Sequence, residues 1–228
     1  MTYLYNVDLE YHKALCTYLS AFIKPERLAR MQQVLKQRTR YVCLILEEIY
    51  QEHNASAIIR TCDAFGIQEV HALERKNHLK FNSDIALGSE QWVSVFSYPD
   101  KTSPEVYATL RKKGYKIAAT SPHSNAYNPF TIPIDTPLAL VMGSEKQGLE
   151  TASLESADYL LQLPMVGFAE SFNVSVSAAL ALQPIMQRLR SSSLNFGLNE
   201  TEYFKILSQW LIGSIGQGKK LAEGFVKS

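Results

Sequence analysis

The pattern of hydrophobic and polar positions changes near residue 41 and separates helical ends from an alternating middle. Before that point, apolar residues recur every three or four positions in two stretches, residues 2–22 and 26–37, as one face of a helix requires. Pro25 separates these two predicted helices. Beyond residue 41, short apolar runs alternate with helical stretches, which is typical of a mostly parallel sheet with flanking helices. We therefore predict an α/β fold with short helical extensions at both ends.

The alternating middle contains six predicted strands. They are the apolar runs at residues 41–46, 69–73, 92–96, 116–120, 138–142 and 159–163. Helices are predicted at residues 55–65, 104–113 and 173–190. Asn54 is the predicted N-cap of the first of them and Gly66 its left-handed C-cap. We expect Pro184 to kink the last one.

These elements predict three parts of the chain. Residues 1–40 form a helical N-terminal extension, residues 41–190 form the α/β domain, and residues 191–228 form a C-terminal tail. The tail begins with a serine-rich link and continues with an amphipathic helix around Tyr203 and Trp210.

Composition excludes several classes of protein. With 46% apolar and 20% charged residues the chain is of an ordinary globular type, and no apolar run is long enough for a membrane span. The first 23 residues contain acids and lack a basic leader, so we expect no secretory signal and a cytoplasmic location. The 3 cysteines form no CxxC pair and the 5 histidines show no HExxH spacing, so we expect neither a disulfide framework nor a metal site.

Basic residues are concentrated in one stretch although the net charge is only +1. Residues 24–40 hold one acid, Glu26, against six basic residues, namely Lys24, Arg27, Arg30, Lys36, Arg38 and Arg40. Such a local excess is the electrostatic footprint of nucleic-acid binding. It is equally typical of a solvated helix face with long basic side chains.

The first of three segments with chemical potential is the helix that follows the first strand. Asn54 lies at its mouth and Arg60 lies about a turn and a half later, so both side chains can face one groove. A purely structural interpretation is also available, in which Asn54 caps the helix and Arg60 pairs with Asp63 at i+3.

The second segment is residues 137–148, in which an apolar strand leads directly into Gly143, then polar residues, then Gly148. Ligands of open α/β sheets lie at the carboxyl ends of strands, where glycines let the backbone approach them. The order GSEKQG lacks the GxxxxGK[ST] arrangement of a triphosphate loop, and no strand is followed by GxGxxG. A nucleotide hydrolase that used this loop would bind ATP with magnesium, and we expect no such binding.

The third segment is residues 163–180. A strand ends near Pro164, a loop follows, and Ser171 and Asn173 flank the start of a helix, where unpaired N–H groups accumulate. Helix capping alone would also account for these two polar residues.

Together the three segments resemble the motifs of the SpoU, or TrmH, branch of the SPOUT RNA methyltransferases. Order and spacing match in Asn54-x5-Arg60, in the strand followed by Gly143-x-Glu145-x2-Gly148, and in Leu163-Pro164-Met165 with Ser171-x-Asn173. The resemblance covers roughly residues 26–190.

The resemblance implies a fold, a cofactor and a partner. Members of this family bind S-adenosylmethionine in a trefoil knot formed by the last third of the domain, a topology that general chain-path rules would have excluded. They act as homodimers whose active site takes residues from both subunits. Carried onto this chain, the cofactor site comprises Thr120, Met142, Gly143, Leu163, Met165 and Phe172.

The resemblance also implies a reaction, the methylation of a ribose 2'-hydroxyl in RNA. The implied catalytic residues are Asn54, Arg60, Glu145, Ser171 and Asn173. Because a guanidinium is effectively always protonated, we expect Arg60 to grip the nucleotide's phosphate and polarise the hydroxyl through it, not to act as a literal base.

The substrate implied by the overall arrangement is tRNA, at guanosine 18 of the D-loop. Phosphate contacts would come from Arg27, Arg30, Lys36 and Arg38. Methylation of ribosomal RNA is the nearest alternative within the family. A non-catalytic RNA-binding protein that retains the fold is the alternative from another class, and it would have no need for S-adenosylmethionine.

Overall fold

The computed structural model describes residues 8–121, 126–144 and 147–225, and contacts divide the chain into two units. The central unit is Arg40–Phe196, and the terminal unit joins the described parts of Met1–Thr39 and Gly197–Ser228. The two ends of the chain, which the sequence presents as separate extensions, thus belong to one unit. Among the described residues, no helix is both long and apolar enough to cross a membrane.

The elements follow in the order expected of alternating strands and helices. The strands are β1 (Val42–Glu47), β2 (Glu69–Leu73), β3 (Ser94–Tyr98), β4 (Lys116–Thr120), β5 (Leu138–Met142) and β6 (Tyr159–Leu161). The helices are α1 (Leu9–Ser20), α2 (Pro25–Leu35), α3 (Glu52–Phe65), α4 (Ser83–Ala86), α5 (Ser103–Arg111), α6 (Thr151–Glu155), α7 (Val174–Arg190), α8 (Glu200–Ser214) and α9 (Gly218–Gly224).

The six strands form one sheet in the order β3, β2, β1, β5, β4, β6. Each neighbouring pair of these strands is parallel. The predicted α/β fold with a mostly parallel sheet and flanking helices is therefore confirmed. Because all strands point the same way, the loops that follow them meet at one edge, which we call the carboxyl edge.

Alternate side chains of β1 enter two separate cores, which is why the whole strand is buried. Leu44 and Leu46 pack in the core that contains residues of α3 and α7. Cys43 and Ile45 pack in the core that contains residues of α5. Burial on both faces explains the uninterrupted apolar run from which the strand was predicted.

Strand bounds were predicted best where turn-forming residues flank the apolar run. The bounds of β2, β4 and β5 are those predicted. The prediction of a strand at 92–96 was wrong by two residues, because a 3-10 turn at Ser89–Gln91 precedes it and the Trp92 N–H bonds the Ser89 carbonyl at 3.0 Å. β6 ends two residues early, at Leu161, whose register partner Thr120 is the last residue of β4.

The start of α3 also differs from the prediction. Gln51, not Asn54, is its N-cap residue, so Asn54 lies within the first turn with its side chain buried. The predicted C-cap is confirmed, since Gly66 adopts the left-handed conformation with φ 77°.

The terminal unit contains α1, α2, α8 and α9, and it buries a cation. Arg38 is 1% exposed, and its guanidinium lies 5.3 Å from the centroid of the Trp210 ring. Because a buried guanidinium cannot reach a phosphate, the prediction of Arg38 as an RNA contact is corrected by its position. Arg27, Arg30 and Lys36 are exposed in this unit, as phosphate contacts require.

Candidate active site

The ends of three neighbouring strands bring together residues that are far apart in sequence. Thr120 ends β4, Met142 ends β5, and Leu163 follows β6 by two residues. The Thr120 Oγ1 donates to the Val141 carbonyl at 2.8 Å, which ties β4 to β5 at the carboxyl edge. Met142 is 1% exposed, and its side chain packs in the core that contains residues of α3 and α7. The predicted cofactor residues on these strands therefore share one edge of the sheet.

The loop after β5 turns back on itself so tightly that Gly143 has no room for a side chain. Ser144 and Gly148 exchange two backbone hydrogen bonds of 3.1 and 3.0 Å. A Cβ on Gly143 would lie 2.4 Å from the Gly148 carbonyl carbon. Gly148 itself has φ 67°, which suits glycine. Glu145, predicted here as a catalytic residue, lies outside the described residues.

A direct hydrogen bond joins the first and third motifs. The Asn173 Nδ2 donates to the Asn54 Oδ1 at 3.0 Å, although 119 positions separate the two residues. Asn54 in turn donates to the Gln51 Oε1 at 2.8 Å. Asn54 is 1% exposed, so this amide is fixed by its partners and is not a solvated cap.

Asn173 also organises the start of α7. Its Oδ1 accepts hydrogen bonds from the Ser175 and Val176 N–H groups at 2.9 and 3.4 Å, and from the Ser175 hydroxyl at 2.6 Å. The Asn173 side chain therefore has two roles: it caps α7, and it bonds α3 through Asn54. Ordinary helix capping requires only the first of these roles.

Arg60 occupies a different face of α3 from Asn54. It is exposed, and within the described residues it makes no hydrogen bond or ion pair. The alternative pairing with Asp63 is not formed; Asp63 accepts instead from the Ser89 hydroxyl at 3.1 Å. A guanidinium without a protein partner remains available for an anionic ligand.

Residues 163–172 form an exposed loop between β6 and α7. Within the part of the chain that the structure describes, their backbone N–H and C=O groups make no hydrogen bonds. Ser171 is exposed, Phe172 is 40% exposed, and Leu163 and Met165 are partly buried. Free backbone groups beside apolar side chains are what an adenine ring requires, because its edge is polar and its faces are apolar. The residues present therefore fit an adenosyl cofactor.

An apolar stripe continues from this loop along α7. Phe172, Val176 and Leu180 recur every four positions and are 40%, 44% and 44% exposed. Val166 and Phe168, in the loop, are fully exposed. Contiguous exposed apolar surface of this kind marks a protein interface in soluble proteins.

The carboxyl end of β1 holds a buried acidic pair that sequence analysis missed. Glu47 is 1% exposed and accepts hydrogen bonds from the hydroxyls of Ser103 at 2.8 Å and Ser153 at 2.6 Å, and from the Glu150 N–H at 3.0 Å. Its neighbour Glu48 is 6% exposed and has a positive φ of 58°, which is rare for a residue with a side chain.

The Glu48 carboxylate holds the loop that follows β2. It accepts three consecutive backbone N–H groups, those of Arg75 at 3.0 Å, Lys76 at 2.9 Å and Asn77 at 3.0 Å. The Arg75 and Lys76 side chains pair with Glu150 at 2.7 and 2.9 Å. The hydrogen bond from Lys76, together with Arg75, lowers the pKa of Glu150.

A cleft of about 630 Å³ opens between this loop and the loop after β5. It is lined by Lys76 and Asn77 from the loop after β2, and by Ser144, Gly148 and Glu150 from the loop after β5. Its volume is within the range of small-molecule sites. The sequence signal that could have revealed this site is the pair of acids at the end of an apolar run. Charged side chains in such a buried position need partners from other loops.

Known proteins resemble this chain over most of its length. A sequence model described as the SpoU rRNA Methylase family matches residues 41–183. The tRNA (guanosine(18)-2'-O)-methyltransferase of Borreliella burgdorferi is 40% identical over 184 residues, which are 81% of this chain and 84% of that protein.

Solved structures show the same similarity. The crystal structure of the A. aeolicus TrmH/SpoU tRNA modifying enzyme has a TM-score of 0.75 and 30% identity, covering 82% of this chain and 95% of that one. The SpoU methyltransferase AviRb from Streptomyces viridochromogenes, crystallised in complex with the cofactor AdoMet, has a TM-score of 0.57 and 21% identity, covering 70% and 62%. At that identity the likeness to AviRb shows the fold alone.

Proposed function

The chain belongs to the SpoU methylase family, and from that membership we propose that it transfers a methyl group from S-adenosylmethionine to the 2'-hydroxyl of guanosine 18 in tRNA. The observation that carries this proposal is the hydrogen bond between Asn54 and Asn173, because it unites two of the three motifs that the family shares. The name of the B. burgdorferi relative supports the choice of nucleotide.

The cofactor site that we propose lies at the ends of β4, β5 and β6. When bound there, S-adenosylmethionine supplies an electrophilic methyl group on a sulfonium sulfur. The side chains of Leu163, Met165 and Phe172 offer apolar surface to the adenosyl group, and Met142 supports the site from the buried end of β5. Free backbone groups between residues 163 and 172 bind its polar edge. Thr120 and Gly143 keep the strand ends and the loop after β5 in place.

Arg60 is the residue that we propose to act on the nucleotide. Its exposed guanidinium binds the phosphate next to the target ribose with two parallel hydrogen bonds, and the phosphate then polarises the 2'-hydroxyl. In the transfer the alcohol oxygen would bond to the methyl carbon as the methyl–sulfur bond breaks, and the hydroxyl proton would leave to solvent by way of the polarising phosphate oxygen. Holding the alcohol in line is therefore a large part of the catalytic effect. Asn54, Ser171 and Asn173 shape the loop around it, and Glu145 is included on the resemblance alone.

The apolar stripe of Phe172 and α7 supports the homodimer that we propose. Phe172, Val176 and Leu180 need cover that the described residues of one chain do not give them. A second copy, packed on this stripe, also explains how an unpartnered Arg60 meets a cofactor site. We include the family's trefoil knot in the last third of the domain in this proposal, as well as action in the cytoplasm on tRNA.

Phosphate contacts from the terminal unit are assigned to α2 and the residue that follows it. Arg27, Arg30 and Lys36 are exposed, and Arg30 is engaged only by Gln33 at 3.0 Å among the described side chains. These contacts add affinity that is independent of sequence and falls with salt. Arg38 is left out because it is buried.

The activity is tested by incubating the protein with labelled S-adenosylmethionine and, separately, an unmodified tRNA transcript and ribosomal RNA, followed by mapping of the methylated ribose. We expect label at guanosine 18 of the tRNA. Label confined to ribosomal RNA would select the rRNA alternative. Binding of RNA with no uptake of labelled cofactor would select the non-catalytic alternative.

The role of Arg60 is tested by Arg60→Lys, which keeps the charge and loses the bidentate fork. We expect single-turnover methylation to fall about 100-fold with cofactor affinity retained. Arg190→Lys is the matched control, since Arg190 donates to the Phe65 carbonyl at 3.0 Å, at the end of the helix that carries Arg60. Unchanged single-turnover rates for Arg60→Lys would remove the residue from the mechanism.

A further inference from the structure

We infer that residues 75–80 form a second RNA-contacting element, which guides the nucleotides next to the target ribose into the cleft beside the loop after β5. The segment reads Arg75, Lys76, Asn77, His78, Leu79 and Lys80. This inference rests on the proposed function and adds a specific contact surface to it, within the central unit and independent of α2.

Charge is the first argument. Residues 75–82 contain three permanent cations and no acid. Arg75, Lys76 and Lys80 are all exposed, and among the described residues Lys80 has no partner. At the accessible surface these three cations face one acid, Glu150, which Arg75 and Lys76 share. The other acids of the cleft, Glu47 and Glu48, are buried and accept hydrogen bonds from hydroxyl and backbone N–H groups.

Rigidity is the second argument. Three consecutive N–H groups bound to one buried carboxylate fix the backbone of residues 75–77, and the Leu79 N–H bonds Glu74. A basic loop that served solubility alone would not need this anchoring. Since the backbone that carries Arg75 and Lys76 is fixed beforehand, it loses less conformational entropy when these side chains meet a phosphate.

Position is the third argument. The loop follows β2 and therefore lies at the carboxyl edge, as do the strand ends that carry the proposed cofactor residues. Lys76 lines the same cleft as Ser144 and Gly148, and Gly143, a proposed cofactor residue, precedes Ser144 in the chain. An RNA strand that offers its ribose to the cofactor must pass close to this edge, where its phosphates need cations.

Lysine footprinting tests the inference on the wild-type chain. The protein is acetylated with a succinimidyl ester, with and without an unmodified tRNA transcript, and modification is measured at each lysine by mass spectrometry. We expect Lys76 and Lys80 to be protected at least fivefold by tRNA. Lys112, which precedes β4 at the opposite edge, should react equally in both samples. Equal reactivity of Lys76 and Lys80 while tRNA is bound would overturn the inference.

Matched double variants give a second test. Lys76→Gln with Lys80→Gln should weaken tRNA binding about tenfold, reduce its salt dependence, and raise KM for tRNA with kcat and S-adenosylmethionine affinity unchanged. The control, Lys112→Gln with Lys113→Gln, removes the same charge at the other edge and should stay within twofold of wild type. Equal losses in both variants, or no loss in the first, would refute a specific contact. Methylation of tRNA by the wild type separates the two proposals. If the wild type methylates tRNA but the variants behave alike, only the inference about residues 75–80 fails. If the wild type does not methylate tRNA, the proposed function itself fails.

Discussion

Two loops at the same edge of the sheet are built in opposite ways. Residues 75–80, after β2, are held by three N–H bonds to Glu48 and by the ion pairs of Arg75 and Lys76 with Glu150. Residues 163–172, after β6, make no backbone hydrogen bonds within the described chain and expose Phe168 fully. The first loop is complete in a single chain, whereas the second presents unused polar groups and apolar side chains.

The contrast distinguishes a loop that is already ordered in the single chain from a loop that becomes ordered when it binds a ligand or a second subunit. A loop whose donors are already used can present side chains at fixed positions, and it gains little from a ligand. A loop with free backbone groups loses conformational entropy when a cofactor or a second subunit binds to those groups. We therefore expect the loop after β2 to determine how RNA is positioned and the loop after β6 to respond to the cofactor.

The largest expected effect comes from loosening the second loop further. Asn173→Ala removes the cap of α7 and the bond to Asn54, so the end of the loop loses this hydrogen-bonded link to α3. We expect single-turnover methylation to fall about 100-fold, as small displacements of reacting groups allow. Asn82→Ala, which removes the cap of α4 beyond the first loop, is the control and should change turnover less than threefold. Similar rates in both variants would argue against a special role of Asn173.

The next effect comes from making the first loop resemble the second. Glu48→Ala removes the acceptor of three N–H groups, which should lower the free energy of unfolding by about 2 kcal/mol. Glu48→Gln keeps one acceptor oxygen and should lose about 1 kcal/mol. Urea unfolding measures both values, and hydrogen exchange at residues 75–77 should accelerate in the same order. Unaltered exchange in Glu48→Ala would mean that other contacts hold the loop.

A smaller effect is expected from the cofactor itself. At about ten times its dissociation constant, S-adenosylmethionine should slow hydrogen exchange in residues 163–172 up to about tenfold. Exchange in residues 75–77 should not change, since those N–H groups are already bonded. Uniform slowing of both loops would contradict the distinction drawn between them.

The smallest effect concerns pH. Because Lys76 and Arg75 lower the pKa of Glu150 in the folded chain, this pair adds stability above the ordinary value of 4.5 and loses it as the pH falls through the lowered value. The side chain of Glu150 is 37% exposed, so the contribution stays below about 1 kcal/mol. The difference in unfolding free energy between wild type and Glu150→Gln should be present at pH 7 and should shrink steadily as the pH falls below 4.5. A difference that is the same at pH 7 and at low pH would assign it to packing.

Much of the fold was predictable because local signals agree with the tertiary structure. The apolar runs of β2, β4 and β5 lie between turn residues, and Gly66 ends α3 as its sequence position indicates. Predictions failed where a distant partner decided the outcome. Arg38 looked like part of a solvated basic face, but Trp210 provides it with a buried aromatic surface.

The candidate site was predictable only through the resemblance. Hydrophobic periodicity places Asn54 and Asn173 at helix starts, and capping explains each one separately. Nothing local indicates that their amides meet across 119 positions. The anchored loop after β2 was missed for the same reason, since the partners of Glu48 lie on another connection of the sheet.

The stacking of Arg38 on Trp210 makes the two ends of the polypeptide depend on each other. Deleting the segment before residue 40 would expose the Trp210 ring to solvent. Deleting the segment after residue 197 would leave the Arg38 guanidinium without its aromatic partner. A shortened version of this protein should therefore be stable only when both terminal segments are removed together. If evolution removes one segment alone, the residue left behind, Arg38 or Trp210, should be substituted as well.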